Sequence, residues 1–450
     1  MTQKIVAGLT AQLKEKIIQQ ALERRLSQVE NKTTTSPAPP VKPATQQTTP
    51  EAFYRFNLHP GYKQIHIMND GAKRLGIEHP FFKVHEGVAG ATTQINNKEY
   101  INYASYNYLG LSGLPEINEA AKSAIDQYGT SVSASRIVSG ERPIHRQLEQ
   151  AIADVYDVED AIILVSGHAT NVTTIGHLFG PRDLILHDEL IHNSILQGII
   201  LSGAKRLSFQ HNDSDALNAI LKEQRHYFEK VLIVVEGIYS MDGDYPNLPL
   251  FIDIKNKHHT FLMVDEAHSF GVMGQTGLGI RQHFNLKGSD VDIWMGTLSK
   301  SLAGCGGYIA GEAALIEQLK FLVPGFLYSV GMPPPLAGAS LAALKTLQKE
   351  PIRVTHLQNN GRYFLDHAKK LGIDTGTSSG LAIIPAITGS SIKAVRLSNA
   401  LFERGINVQP ILYPAVPEKA ARLRFFISSH HTEAQIQTTL QVLSEEIKRL

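Results

Sequence analysis

The chain has 450 residues, 43% hydrophobic and 19% charged, and a formal net charge of +1. That length suggests two or three domains around a sizeable core, and the composition excludes a disordered chain. No Lys/Arg cluster interleaves with aromatics, so nothing recommends a nucleic-acid partner, and the single cysteine, Cys305, excludes an intrachain disulfide or a multi-thiolate metal centre.

The N-terminus lacks the apolar core and cleavage site of a secretory signal, and no apolar run reaches the ~18 residues of a membrane span. The expectation is a soluble, cytoplasmic protein with no membrane partner and no metal. Residues 2–29 place Ile5, Leu9, Leu13, Ile17, Ile18, Ala21, Leu22 and Leu26 on a recurrence of three- and four-residue steps, which predicts an amphipathic helix and a possible docking segment over 1–30. Residues 31–50 are rich in Pro and Thr, cannot bury enough apolar surface to order themselves, and read as a tether. An N-terminal segment (51–110), a large domain (111–345) and a smaller C-terminal domain (346–450) are expected to follow.

Within the large domain, short β-branched runs alternate with helical patterns. They are AIILVSG, DLILHDE, VLIVVEGIYS, FLMVDEAHS, VDIWMGTLSK and GGYIAG. This predicts an α/β fold, a mostly parallel sheet with helices on both faces, and a smaller α+β domain after it. Ligands of such sheets bind at the carboxyl ends of the strands. Ser166, Asp188, Glu236, Asp265, His268 and Lys300 all fall there, where an idle sheet would carry only turn residues.

Lys300 ends TLSK and enters a Gly- and Ala-rich stretch whose small residues let backbone approach a bulky ligand. Asp265 ends an apolar strand, so it is expected to be buried and to need a cationic partner. His268 follows three residues later. Gly167 and His168 open a helix whose N-terminus suits a phosphate. His192 offers a flat ring. A lysine for an imine, a carboxylate for a pyridinium, donors for a phosphate and a cover for the ring are what pyridoxal 5′-phosphate (PLP) chemistry requires.

From about residue 53 to the C-terminus the chain resembles the α-oxoamine synthases, fold-type I PLP-dependent transferases. The resemblance rests on NYLGL (107–111), SRIVSG (135–140), SGHATN (166–171), HDELIHNSI (187–195), HND (211–213), EGIYSMDGD (236–244), VDEAHSFGVMGQTGLG (264–279), GTLSK (296–300), GGY (306–308) and LRFFISSHHT (423–432). The style of GTSVSASRIVSGERPIH is similar to oxoamine synthase domains attached to polyketide synthases. The resemblance implies that Lys300 forms the imine and is the base at the amino acid's Cα. Asp265 would pair with the pyridine nitrogen, His268 and Ser240 would lie near the ring's phenolic oxygen, and His192 would stack on the ring. Gly167, His168 and Thr297 would hold the phosphate, joined by Ser329 from a neighbouring subunit in a homodimer. Arg424, with Tyr106 and Asn107, would meet the substrate carboxylate, although Tyr106 stands where many members have Asn.

The implied reaction is a decarboxylative condensation of an amino acid with an acyl thioester, carried on CoA or on an acyl carrier protein, to an α-aminoketone. Two alternatives stay open. One is another reaction of the same cofactor, such as an aminotransferase. The other is a docking or partner subunit.

Overall fold

The computed structural model describes residues 49–450, residue 75 excepted, together with residue 20. The helix and tether expected over 1–50 therefore lie, save residues 20, 49 and 50, outside the described residues. Backbone contacts divide the chain after Phe82. In the first unit, two short 3-10 turns (Glu51–Phe53 and Phe56–Leu58) precede helix α1 (Pro60–Arg74).

The second unit, residues 83–450, begins with a hairpin of β1 (Thr92–Ile95) and β2 (Lys98–Asn102). Asn96 and Asn97 both adopt positive φ there (52° and 59°), the turn conformation that Asn tolerates best among residues with a side chain. The large sheet follows: β3 (Asp160–Leu164), β4 (Leu184–Asp188), β5 (Lys205–Phe209), β6 (Val231–Glu236), β7 (Phe261–Asp265), β8 (Ile293–Thr297) and β9 (Gly307–Gly311). Their spatial order is β3-β9-β8-β7-β6-β4-β5. All neighbours pair in parallel except β9, which runs antiparallel to β3 and to β8.

The apolar runs are continuous because both faces of this sheet are buried. Ile162, Ile185, Val234, Met263 and Met295 pack on one side, with Ile175 of α2 (Gly167–Leu178) and Ile199 of α3 (Asn193–Ser202). Ile163, Leu186, Val235, Val264 and Trp294 pack on the other, with Leu344 and Leu347 of α4 (Pro334–Lys349). Each such side chain contributes about 1.5–3 kcal/mol of burial. The edge strand β5 escaped the sequence reading because Lys205, Arg206 and Ser208 are exposed, the polar dress of an unpaired edge.

The boundary drawn at residue 346 falls inside α4, which runs unbroken. Beyond it, β10 (Ile383–Ile387), β12 (Gln409–Ile411) and β13 (Arg422–Phe426) form an antiparallel sheet in the order β10-β13-β12. The short β11 (Ile406–Asn407) joins β2, and α5 (Glu433–Arg449) closes the chain. β13 places Arg422 and Arg424, two residues apart, on one face of this sheet.

Candidate active site

The carboxyl ends of β4, β6, β7 and β8 converge on one buried polar region. β6 and β7 pair so that Glu236 lies opposite Asp265, and both are nearly inaccessible. Asp265 Oδ1 accepts the Ala267 N–H at 2.9 Å and Oδ2 accepts from Asn171 Nδ2 at 2.9 Å. Among the described residues no cationic side chain forms an ion pair with it. Glu236 accepts the His192 N–H at 2.6 Å, and burial, with the Asp265 charge beside it, pushes its carboxyl well above the ordinary range. After β8 the chain folds back: Leu298 N–H donates to Gly306 O (2.9 Å) and Gly304 N–H to Leu298 O (2.8 Å), presenting Lys300. Burial pushes the Lys300 ammonium down to about 8, against the pull of Asp265 and Glu236.

Facing this lysine loop is the N-terminus of α2, capped by Ser166, whose hydroxyl oxygen accepts the Ala169 N–H. A Cβ on Gly167 would stand 2.9 Å from Thr297 Oγ1, and one on Gly307 would stand 2.7 Å from the Gly167 Cα, so glycine is required for the approach. Thr297 donates to Gly306 O at 3.0 Å and lies 2.7 Å from Ser299 Oγ. A helix N-terminus beside two hydroxyls can hold an anion such as a phosphate.

Three groups complete the site. His192 is the N-cap of α3, and its ring centroid lies 6.5 Å from that of His168. His268 is buried, with Nδ1 2.8 Å from the Tyr108 hydroxyl; burial, then Lys300 and Arg424, push it well below 6.5. Arg424 lies over the Phe426 ring (4.5 Å to its centroid) and donates to Ser240 O at 2.9 Å. Its Nε is buried without a partner, and among the described residues no carboxylate pairs with it. Its neighbour Arg422 is paired, with Asp242 at 2.5 Å.

A concavity of about 360 Å³ opens at Lys300, between the loop 299–304 and residues 102–107. A larger one, about 700 Å³, lies at the opposite end of the sheet, around Phe261 and Ile293. Size does not select the site: in the larger one three charged residues are already engaged, Lys230 with Asp183, Asp292 with Lys255, and Glu159 with the Ala313 N–H.

Residues 98–443 match the family described as aminotransferase class I and II. The 8-amino-7-oxononanoate synthase of Symbiobacterium thermophilum is 39% identical over 376 residues, 84% of this chain and 95% of that protein. That of Fervidobacterium nodosum is 40% identical over 379 residues, 83% and 95% of the two. A solved serine palmitoyltransferase from S. paucimobilis, with bound PLP–myriocin, aligns at a TM-score of 0.82 and 27% identity, over 87% of this chain and 99% of that one. The chain belongs to the α-oxoamine synthases of the class I and II aminotransferase family.

In this oxoamine synthase, Lys300, Asp265, His192, His268, Ser240 and Arg424 are linked directly or through shared neighbours. Tyr106 lies among them: its ring centroid is 5.5 Å from Lys300 Nζ and 4.9 Å from that of Phe426. Asn107 is different. Its carboxamide donates to Ala89 O and Ser112 O and accepts the Ser112 N–H, so its polar atoms serve the loop. Ser329 lines a separate small cleft with Arg136 and Phe326, its hydroxyl donating to Val330 O at 3.4 Å. Sequence reasoning gave no role to Tyr108, Asn171 and Ser194. Each sits inside a quoted motif, and that membership was the only signal.

Proposed function

We propose that this chain condenses an amino acid with an acyl thioester, releasing CO2 and the free thiol and forming an α-aminoketone, with PLP as cofactor. The observation that carries this is Arg424: a part-buried guanidinium whose buried Nε has no partner and which meets no carboxylate among the described residues, on the strand where Arg422 has one. A partly desolvated cation held without a counter-charge is costly unless an anionic ligand supplies one, and the substrate carboxylate is such an anion.

The residues fit PLP. Asp265 is a buried carboxylate awaiting a cation, and Gly167, His168 and Thr297 make the phosphate cradle. Bound there, PLP supplies an electron sink for the negative charge that develops at the amino acid's Cα. Lys300, with its pKa near 8, is unprotonated often enough at neutral pH to act as nucleophile and then to take up the Cα proton. Arg424 and Tyr106 orient the substrate carboxylate, and His192 covers the pocket and donates to the thioester carbonyl oxygen.

Ser329 completes the phosphate site from a second copy. Exposed Ile137, Val138, Tyr328 and Val330 support that reading, because the loop holding Tyr328 and Val330 is pinned to the 134–140 turn by the Gly331 N–H to Ala134 O bond (3.0 Å). The amphipathic pattern of residues 2–29 and the Pro/Thr-rich stretch to residue 50 support an acyl carrier protein as donor in the cytoplasm. The GTSVSASRIVSGERPIH motif style supports a polyketide-type pathway. Mass spectrometry of products from a panel of amino acids with acyl-CoA and acyl-carrier thioesters tests the reaction. Amino-group transfer without thiol release would overturn it in favour of an aminotransferase.

A further inference from the structure

Behind the imidazole of His192 a chain of hydrogen bonds runs to Asp265. Asn171, buried on α2, places Nδ2 2.9 Å from Asp265 Oδ2 and 2.9 Å from Ser194 Oγ. A carboxamide nitrogen has two hydrogens and no acceptor capacity, so it donates one to each. The flipped amide would set Oδ1 against a carboxylate, which fixes the orientation. Ser194 Oγ therefore accepts from Asn171, and its own proton is left for His192 Nδ1, 2.7 Å away. The Ser194 N–H reaches the same Nδ1 at 3.3 Å. Two donors converge on one ring nitrogen, so Nδ1 holds its lone pair. Burial keeps the ring below its usual range, and a neutral imidazole with a bare Nδ1 carries its proton on Nε2.

We propose that Asn171 and Ser194 are positioning residues that lock His192 in its Nε2–H tautomer, linked by hydrogen bonds to the Asp265 carboxylate. The reverse polarity would place a proton on Nδ1 against the Ser194 N–H, which points at that same nitrogen, and would leave the Ser194 hydroxyl proton without this acceptor. The lock decides what His192 offers to substrate. Its one lone pair is consumed, so it is a hydrogen-bond donor to a carbonyl or carboxylate oxygen and not a base, and the Cα proton is left to Lys300. This rests on the site being the one proposed above, and it narrows the division of labour within it.

The test is the ring-nitrogen NMR spectrum of the full-length protein labelled with 15N-histidine, recorded with and without added PLP. The His192 signals are assigned by their absence in His192→Gln. The expected result is a protonated Nε2 and an unprotonated Nδ1 under both conditions. Ser194→Ala should populate the Nδ1–H tautomer and lower kcat/KM about tenfold; Ser194→Thr, which keeps the hydroxyl, should restore the single tautomer. Wild-type His192 protonated at Nδ1, or at both nitrogens, overturns the proposal. So does a Ser194→Ala spectrum equal to wild type, or a Ser194→Thr spectrum equal to that of Ser194→Ala. If Ser194→Ala does not fold, the wild-type spectrum decides alone. Failure of the cofactor reading is a separate event: no absorbance change on adding PLP would sink that reading, while the tautomer is still read from the unloaded protein.

Discussion

Histidines in two adjoining regions of the sheet's carboxyl end are treated in opposite ways. His211, beyond β5, is clamped between Asp188 (2.9 Å) and Asp244 (3.0 Å), and Thr377 donates to the same Asp244. Although burial opposes it, hydrogen bonds to the two carboxylates push His211 up to about 10, so it is a cation that ties the β4–β5 end to the loop carrying Ser240. In the pocket, His192 and His268 are met at Nδ1 by hydroxyls, from Ser194 and Tyr108, and both are pushed down. Burial is common to all three; the partner decides between a structural cation and a neutral donor. The arginines of β13 repeat the contrast: Arg422 has its carboxylate and Arg424 waits for one.

The strongest way to break this contrast is at the pocket's own amine. Lys300→Ala should lose at least about a thousandfold in turnover, together with the absorption band of a lysine imine. In the wild type, capture of PLP by the unloaded protein should accelerate as pH rises through about 8, because only the unprotonated amine attacks. A capture rate flat across that range would mean that burial does not depress this lysine.

Next in size is the arginine pair. Arg424→Met should raise KM for the amino acid about 10- to 100-fold while leaving the melting temperature nearly unchanged, since no carboxylate is abandoned. Arg422→Met strands a part-buried Asp242 and should cost about 3 kcal/mol of stability, with KM for the folded fraction close to wild type. Denaturant melts and amino-acid saturation curves of the two variants should therefore move in complementary ways. If both variants alter KM equally, the division between paired and waiting arginine is wrong.

Much of this was legible in the sequence, for a physical reason. Strands buried on both faces need apolar residues throughout, so six strands stood out as continuous runs. β5, polar because it is an edge, did not, and neither did the reversal of β9, which leaves no mark on composition. Lys300 and Asp265 were legible because strand ends are where such folds bind ligands, and Arg424 because of its motif. Tyr108, Asn171 and Ser194 were not, because their partners His268, Asp265 and His192 are found by hydrogen bonding across the fold, and composition carries no signal of it. Asn107 illustrates the converse. Motif position suggested a substrate ligand, and the folded loop consumes its carboxamide.

The latch itself can be tested through stability. His211→Asn removes charge-assisted bonds and leaves Asp188 and Asp244 facing each other, a loss of about 2 kcal/mol near neutral pH. The pKa of His211 is raised on folding. Its contribution is therefore fully present below the ordinary 6.5 and is lost as pH climbs through about 10. Wild-type stability should fall along that alkaline slope, and the Asn variant should lack this component. Parallel pH profiles by thermal melting would remove His211 from the role of cationic latch.

The smallest expected effect lies at Glu236, where the two regions meet. This carboxyl is buried beside Asp265, and the His192 N–H that it accepts does not offset the cost of charging it, so its pKa rises on folding. An acid raised in this way contributes full stability below its ordinary value near 4.5 and loses it as pH rises toward the folded value. Glu236→Gln keeps an oxygen for the His192 N–H and cannot ionise. The variant should match the wild type in acid within about 1 kcal/mol, and should gain on it steadily as pH rises, with the wild-type curve declining more steeply. Melting both proteins from about pH 5 to about pH 9 reads the difference directly. A variant that is less stable at every pH would mean that Glu236 is held ionised by a partner, and that the pocket is not the environment hostile to charge that His192, His268 and Lys300 indicate.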